Sequence, residues 1–77
     1  MLYMAIMYVE KTFKVTKMGL NRSTWFVKLI KEQYSGRYRF HIPATNTFYA
    51  GEFDSADLAL NYFDALCHNR DWNYEEV

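Results

Sequence analysis

The sequence predicts an α+β fold, in which an antiparallel sheet of three to four strands carries one C-terminal helix packed on one face. Two patterns predict it. Polar and apolar residues alternate over residues 37–42, which is typical of a half-buried strand. Over residues 54–67 the period changes, and apolar residues recur along one stripe of a helix. A sheet covered on one side by a helix is a two-layer architecture, and the length predicts a single domain over residues 1–77.

Four segments have the composition of β-strands. Residues 2–17 are rich in strand-forming residues and alternate in their second half, and residues 24–32 follow after a turn. The alternating segment 37–42 is expected to end at Pro43, because proline has no N–H to donate to a β-ladder. Residues 48–53 are expected to return as a further strand.

The helix is expected to begin at Asp54 or Ser55, since either side chain can accept a hydrogen bond from a free backbone N–H. Its apolar stripe is expected to cover the apolar face of the sheet. The stripe comprises Leu58, Ala59, Tyr62, Phe63 and Leu66, and the sheet residues beneath it are Tyr38, Phe40, Ile42, Phe48 and Ala50. Trp72 and Tyr74 are expected to pack back against this layer, with residues 75–77 loose.

The formal net charge of zero hides a strong asymmetry along the chain. Residues 1–43 hold eight basic and two acidic residues, a net charge of +6. Residues 44–77 hold one basic and seven acidic residues, a net charge of −6. Such an asymmetry suggests a polyanionic partner for the basic half. A chance segregation of solvated surface charges is the alternative.

The lone cysteine, Cys67, excludes an internal disulfide and suits a reducing compartment. The apolar run over residues 2–9 is too short to span a bilayer, which takes about 20 residues, and it lacks the features of a signal peptide. We therefore expect a cytoplasmic protein that does not contact a membrane.

The residues that enzymes and metal sites require are scarce. Cys67 and His68 are adjacent on the predicted helix and point about 100° apart, so they do not pair readily. His41 has no second histidine or cysteine at metal-ligand spacing, and the three glycines do not form a phosphate-binding loop. We expect no catalytic residue, no metal and no cofactor.

The polar face of the predicted sheet is the strongest candidate for a binding site. Its candidate contact residues, on or near three strands, are Arg22, Lys28, Lys31, Arg37, Arg39, His41, Thr47 and Tyr49. Arginine can form paired hydrogen bonds to guanine, and lysine and threonine can hold phosphates. The exposed face of an antiparallel sheet is also polar by default, so this pattern favours nucleic acid only slightly.

Two segments at consistent spacing carry a family resemblance. They are Gly36-Arg37-Tyr38-Arg39-Phe40-His41-Ile42 and Phe48-Tyr49-Ala50-Gly51-Glu52-Phe53-Asp54-Ser55-Ala56-Asp57-Leu58-Ala59, followed by Tyr62-Phe63-Asp64. Over residues 23–70 the chain resembles the Apetala-two DNA-binding domain of plant ethylene-response factors, which also occurs in phage HNH endonucleases. Two departures are Trp25-Phe26-Val27-Lys28 in the first strand, where the family has glycine, valine and arginines, and Ala50 in place of leucine.

The resemblance implies a three-stranded antiparallel sheet that lies in the major groove of double-stranded DNA, with the helix behind it. It implies that Arg37, Arg39 and Tyr49 face the DNA, assisted by Lys28, Lys31 and His41. Residues 1–18 lie outside the resemblance. They could add an edge strand, pair two copies into a homodimer, or dock on a partner.

We therefore expect a small, non-enzymatic DNA-binding module, of the kind that could serve as a phage or mobile-element regulator of transcription. The alternative from another class is a small phage-type inhibitor or adaptor that binds a protein partner, such as an anti-defence factor. In that case the exposed aromatic residues would act as anchors, namely Trp25, Phe26, Tyr34 and Tyr49.

Overall fold

The computed structural model describes residues 7–49 and 51–77, and it confirms the α+β class. The elements in chain order are β1 (Met7–Lys17), β2 (Ser23–Glu32), β3 (Tyr38–Ile42), β4 (Thr47–Phe48), α1 (Ala56–Asn69) and β5 (Trp72–Glu76). The strands form one antiparallel sheet in the order β4-β3-β2-β1-β5. The expected strand start over residues 2–6 and the expected packing of Ala50 lie outside the described residues.

The long β1–β2 pair is the centre of the sheet, and a β-bulge interrupts its register. Val9 pairs with Ile30 and Lys11 pairs with Leu29, so Glu10 is the extra residue. An extra residue shifts the alternation of side chains by one position. Val9 therefore lies on the opposite face of the sheet from Lys11.

The core lies between α1 and one face of the sheet. Phe63 of α1 is 1% exposed and lies 5.0 Å, centroid to centroid, from both Phe13 and Phe40. The remaining core residues are Val15, Val27, Leu29, Ala59 and Cys67. The helix begins after Ser55, whose Oγ accepts a hydrogen bond from the Leu58 N–H at 3.2 Å, which confirms the predicted cap.

The buried stripe of α1 is rotated from the predicted one. Ala59, Phe63 and Cys67 are buried at four-residue intervals, whereas Leu58 is 55% exposed. Leu60, which was not in the predicted stripe, packs against the core instead. Residues four apart lie nearly above one another on a helix, so a narrow stripe of small and aromatic residues suffices to cover the sheet.

The last five residues before Val77 form strand β5, which confirms the expected packing of Trp72 and Tyr74 but places Glu75 and Glu76 in a strand where the sequence predicted loose residues. Asp71 has a φ of 56°, which reverses the chain directly after the helix. Trp72 and Tyr74 then point towards the core: the Trp72 ring lies 4.9 Å from Trp25, and the Tyr74 ring lies 5.0 Å from Phe63. These contacts place β5 beside β1 along residues 13–17.

The strand after Pro43 is shorter than predicted and has a different register. Among the described residues after Pro43, Thr47 and Phe48 pair with β3, and Phe53 rejoins the sheet through an isolated bridge to Tyr38. Phe48 pairs with His41, so it lies on the face away from the helix, and its predicted position beneath α1 is wrong. Asn46, with a φ of 51°, closes the turn that sets this register.

Candidate nucleic-acid interface

Within residues 7–49 and 51–77, one face of the sheet carries no helix, and we call it the open face. Residues directly opposite each other in an antiparallel pair share a face, so the strand registers define its members. They are Met7, Val9, Thr12, Lys14, Thr16, Thr24, Phe26, Lys28, Ile30, Glu32, Arg39, His41, Phe48, Asn73 and Glu75. The open face is therefore mixed: apolar side chains lie beside the Arg39–Glu32 ion pair at the end near Met7, and polar side chains lie near Thr16.

Three of the predicted contact residues lie on the open face: Lys28, Arg39 and His41. Lys28 is half-buried, and no ion pair involves it among the described residues. The Nε2 atom of His41 lies 2.9 Å from the Asn46 Oδ1 atom, and its ring lies 4.8 Å from that of Phe48. These contacts fix the orientation of the imidazole.

The other predicted contacts lie elsewhere. Arg37 precedes β3, and its guanidinium forms ion pairs with Glu52 at 3.1 Å and Asp54 at 3.7 Å. Lys31 lies opposite Tyr38 on the helix-facing side of the sheet, with its Nζ 5.7 Å from the centre of that ring. Arg22 is exposed in the turn before β2. Arg22, Lys31 and Arg37 therefore lie off the open face.

Tyr49 and Thr47 also lie off the open face, because Phe48 is the β4 residue that pairs with His41. Thr47 pairs with Ile42, on the helix-facing side. Tyr49 packs against the core, and its N–H donates to the Phe40 carbonyl at 3.0 Å. Burial raises the pKa of Tyr49, partly offset by a side-chain hydrogen bond with Trp25. Tyr49 is thus a packing residue in this fold.

Arg39 lies on the open face but is engaged by its own protein. Its guanidinium carbon lies 4.1 Å from the centre of the Phe48 ring, and Nη1 lies 3.4 Å from a Glu32 carboxylate oxygen. Its Nε is buried and has no hydrogen-bond partner among the described residues. A guanidinium that lies over a ring and is paired with a carboxylate has few donors left for a base edge.

Lys14 was not among the predicted contact residues, although the alternation of polar and apolar residues around it indicates which face it occupies. Phe13 and Val15 point into the core, so Lys14 and Thr16 must point to the open face. Lys14 lies directly opposite Phe26, and Lys28 is the next open-face residue along β2. Two lysines therefore flank one aromatic ring.

A shallow hollow of about 160 Å³ adjoins this group at the edge of the sheet, between β1 and β5. It is lined by Lys14, Thr16, Asn73, Tyr74 and Glu75. Ammonium, hydroxyl and amide groups can all donate hydrogen bonds to a phosphate. The Glu75 carboxylate, which lies opposite Lys14, opposes such binding.

The chemistry around Cys67 disfavours a nucleophile. Burial, with a smaller contribution from the nearby Asp64 charge, raises the pKa of Cys67 to about 11. The thiol therefore stays protonated at neutral pH, and it is the thiolate that reacts. Within residues 7–49 and 51–77, no three histidine, cysteine or acidic side chains are grouped so as to hold a metal ion.

No family model matches the chain, and searches of curated proteins and of solved structures found no significant match. The resemblance to the Apetala-two domain therefore stays a prediction. In the described part of the chain, α1 is too short and too polar to cross a membrane.

Proposed function

We propose that the protein is a cytoplasmic, non-enzymatic DNA-binding module that contacts DNA with the open face of its sheet. The observation that carries this proposal is the group formed by Lys14, Phe26 and Lys28. Both lysines and the ring lie on the open face, and no carboxylate of the described residues lies between them. Lysine binds phosphates as a mobile point charge, and an exposed ring packs on sugars or bases.

The charge distribution supports this orientation. The acidic residues of α1, Asp57 and Asp64, lie on the layer behind the sheet. Arg37 and Lys11 are neutralised by ion pairs away from the open face. The carboxylates of the helix therefore face away from a polyanion that approaches the open face, where the acidic residues are Glu32, which is paired with Arg39, and Glu75.

Few of the basic residues are positioned to contact phosphates on the open face. Three of the eight basic residues in the first half lie on the open face, and one of these, Arg39, is paired with Glu32. Two or three neutralised phosphates predict a slope of about −2 to −3 for log affinity against log salt on duplex DNA. Binding should thus be modest and clearly dependent on ionic strength.

Charge reversal within one strand gives the sharpest test. Lys28 and Lys31 both belong to β2 but lie on opposite faces of the sheet. In fluorescence anisotropy with labelled random-sequence DNA at low and moderate salt, Lys28→Glu should weaken binding strongly. Lys31→Glu, with the same charge change, should bind nearly like the parent. Equal losses in both variants would contradict an interface on the open face, and absence of binding at low salt would refute DNA binding altogether.

A second candidate function, a small inhibitor or adaptor that binds a protein, is favoured by the outer edge of β1. Strand β5 covers β1 only from residue 13 onward, with one further hydrogen bond from the Val77 N–H to the Thr12 carbonyl. Among the described residues before it, the exposed apolar side chains are Met7, Tyr8 and Val9. An extended segment of a partner, or a second copy of this chain, could add a strand there. Sedimentation at several concentrations separates a homodimer from a monomer that awaits another protein.

A further inference from the structure

The open face carries two aromatic rings in different environments. Phe48 is covered by Arg39 at 4.1 Å and His41 at 4.8 Å. Phe26 is 48% exposed and stacks on no other ring within the described part of the chain. A half-exposed ring between two lysines offers an apolar surface on which another flat group can stack.

We propose that the open face binds single-stranded nucleic acid, with an unpaired base stacked on Phe26 and the adjoining phosphates at Lys14 and Lys28. This inference rests on the proposed function and specifies its substrate. In a duplex the faces of the bases are stacked on each other, and a protein reaches only their edges. An unpaired base offers its face, which is the surface that an exposed phenyl ring can cover.

The width of the sheet also favours a single strand. At the level of Lys28, four strands lie side by side, through Thr12, Lys28, His41 and Phe48. Neighbouring strands are about 4.8 Å apart, so the outer strand axes are about 14 Å apart before side chains are counted, more than the about 12 Å width of the major groove. A flexible single strand can follow the same row without entering a groove.

The hollow beside Lys14 offers a place for a phosphate next to the stacked base. Thr16 and Asn73 supply a hydroxyl and an amide, and Lys14 supplies the charge. Glu75 lies opposite Lys14 and repels the same phosphate. The carboxylate limits affinity, so Glu75→Gln should tighten binding.

The test compares three fluorescent probes of matched length, about 15 nucleotides, which is within the range covered by known single-strand-binding domains. They are an oligothymidylate, an abasic strand with the same phosphates, and a duplex. The parent protein should bind the oligothymidylate tightest. The abasic strand should bind about 5- to 100-fold more weakly, as expected for the loss of one base stacked on an aromatic ring.

Substitutions at the ring connect this difference to Phe26. Phe26→Ala should remove the preference for bases over abasic sites, and Phe26→Trp should restore it. Phe26 is half exposed, so thermal melting should show both variants folded. Glu75→Gln should increase the affinity for both single strands.

Each outcome discriminates between the proposals. Equal binding of the oligothymidylate and the abasic strand would overturn base stacking, and tighter binding of the duplex would overturn the preference for single strands. Either result leaves DNA binding by the open face intact. Failure of all three probes to bind at low salt would overturn the proposed function as well.

Discussion

Arg39 should support the fold rather than read DNA. Its side chain is 29% exposed and lies on the Phe48 ring while paired with Glu32, which is 20% exposed. A partly desolvated contact between a guanidinium and a ring contributes about 0.5–2 kcal/mol, and an ion pair near the surface contributes up to about 1 kcal/mol. Arg39→Ala should therefore lower the free energy of unfolding by about 1–3 kcal/mol.

Arg37 provides a matched control for this variant. It is the same residue type two positions earlier, but it is 53% exposed and pairs with Glu52 and Asp54 on the surface. Arg37→Ala should change the free energy of unfolding by less than about 1 kcal/mol. Urea denaturation followed by the fluorescence of the packed Trp25–Trp72 pair measures both variants.

Measurements of DNA affinity distinguish a structural role for Arg39 from a role in contacting DNA. If its guanidinium is committed to Phe48 and Glu32, Arg39→Lys should retain most of the DNA affinity but lose part of the stability, since lysine keeps the charge without the flat ring contact. The structural role would be refuted if Arg39→Ala were as stable as the parent protein but lost more DNA affinity than Lys28→Ala. Arg39 would then be assigned to the DNA interface.

The remaining predictions concern the core and the response to pH. Phe63→Ala should lower the free energy of unfolding by about 3–5 kcal/mol, because it opens a cavity in the aromatic core. Leu58 is exposed, so Leu58→Ala should lower it by less than about 1 kcal/mol. Urea denaturation measures both variants, and similar losses of stability would contradict the observed packing. The hydrogen bond to Asp64 raises the pKa of Tyr74 to about 12, and burial raises that of Cys67 to about 11. Both groups hold their proton more tightly when folded, so their stabilisation is complete below pH 9 and is lost as the pH rises to about 12. Tyr74→Phe should flatten the loss between pH 10 and 12 in denaturation at stepped pH, and an unchanged profile would exclude Tyr74 as the source.

The sequence predicted the class of the fold well, because periodicity reports which side of an element is buried. The alternation over residues 37–42 and the cap at Ser55 correspond to β3 and to the start of α1. The expected packing of Trp72 and Tyr74 is confirmed, but their alternation with polar residues was not recognised as strand β5. A five-residue strand at a chain end carries too weak a periodic signal to be separated from loose packing.

The candidate site was harder to predict, because it depends on register. The side-chain period of a strand is two, so an error of one residue moves every side chain to the other face. Phe48 and Tyr49 exchanged places in this way, since the turn that ends at Asn46 sets the pairing of β4. Ion pairs between distant residues, such as Arg37 with Glu52, have no local signal in the sequence.

The bulge at Glu10 has a consequence for function that the alternation pattern could not show. By shifting the side chains that precede it, the bulge places Val9 beside Ile30 on the open face. That end of the open face therefore carries exposed Met7 and Val9 beside the Arg39–Glu32 ion pair, and it adjoins the part of the β1 edge that no described strand pairs with, while Lys14 and Lys28 lie towards the other end. An apolar surface next to an unpaired strand edge suits a protein, and a cationic surface with an exposed ring suits a nucleic acid. The two candidate functions therefore use separate parts of one sheet, so the protein could perform both, and substitutions at either end would separate them.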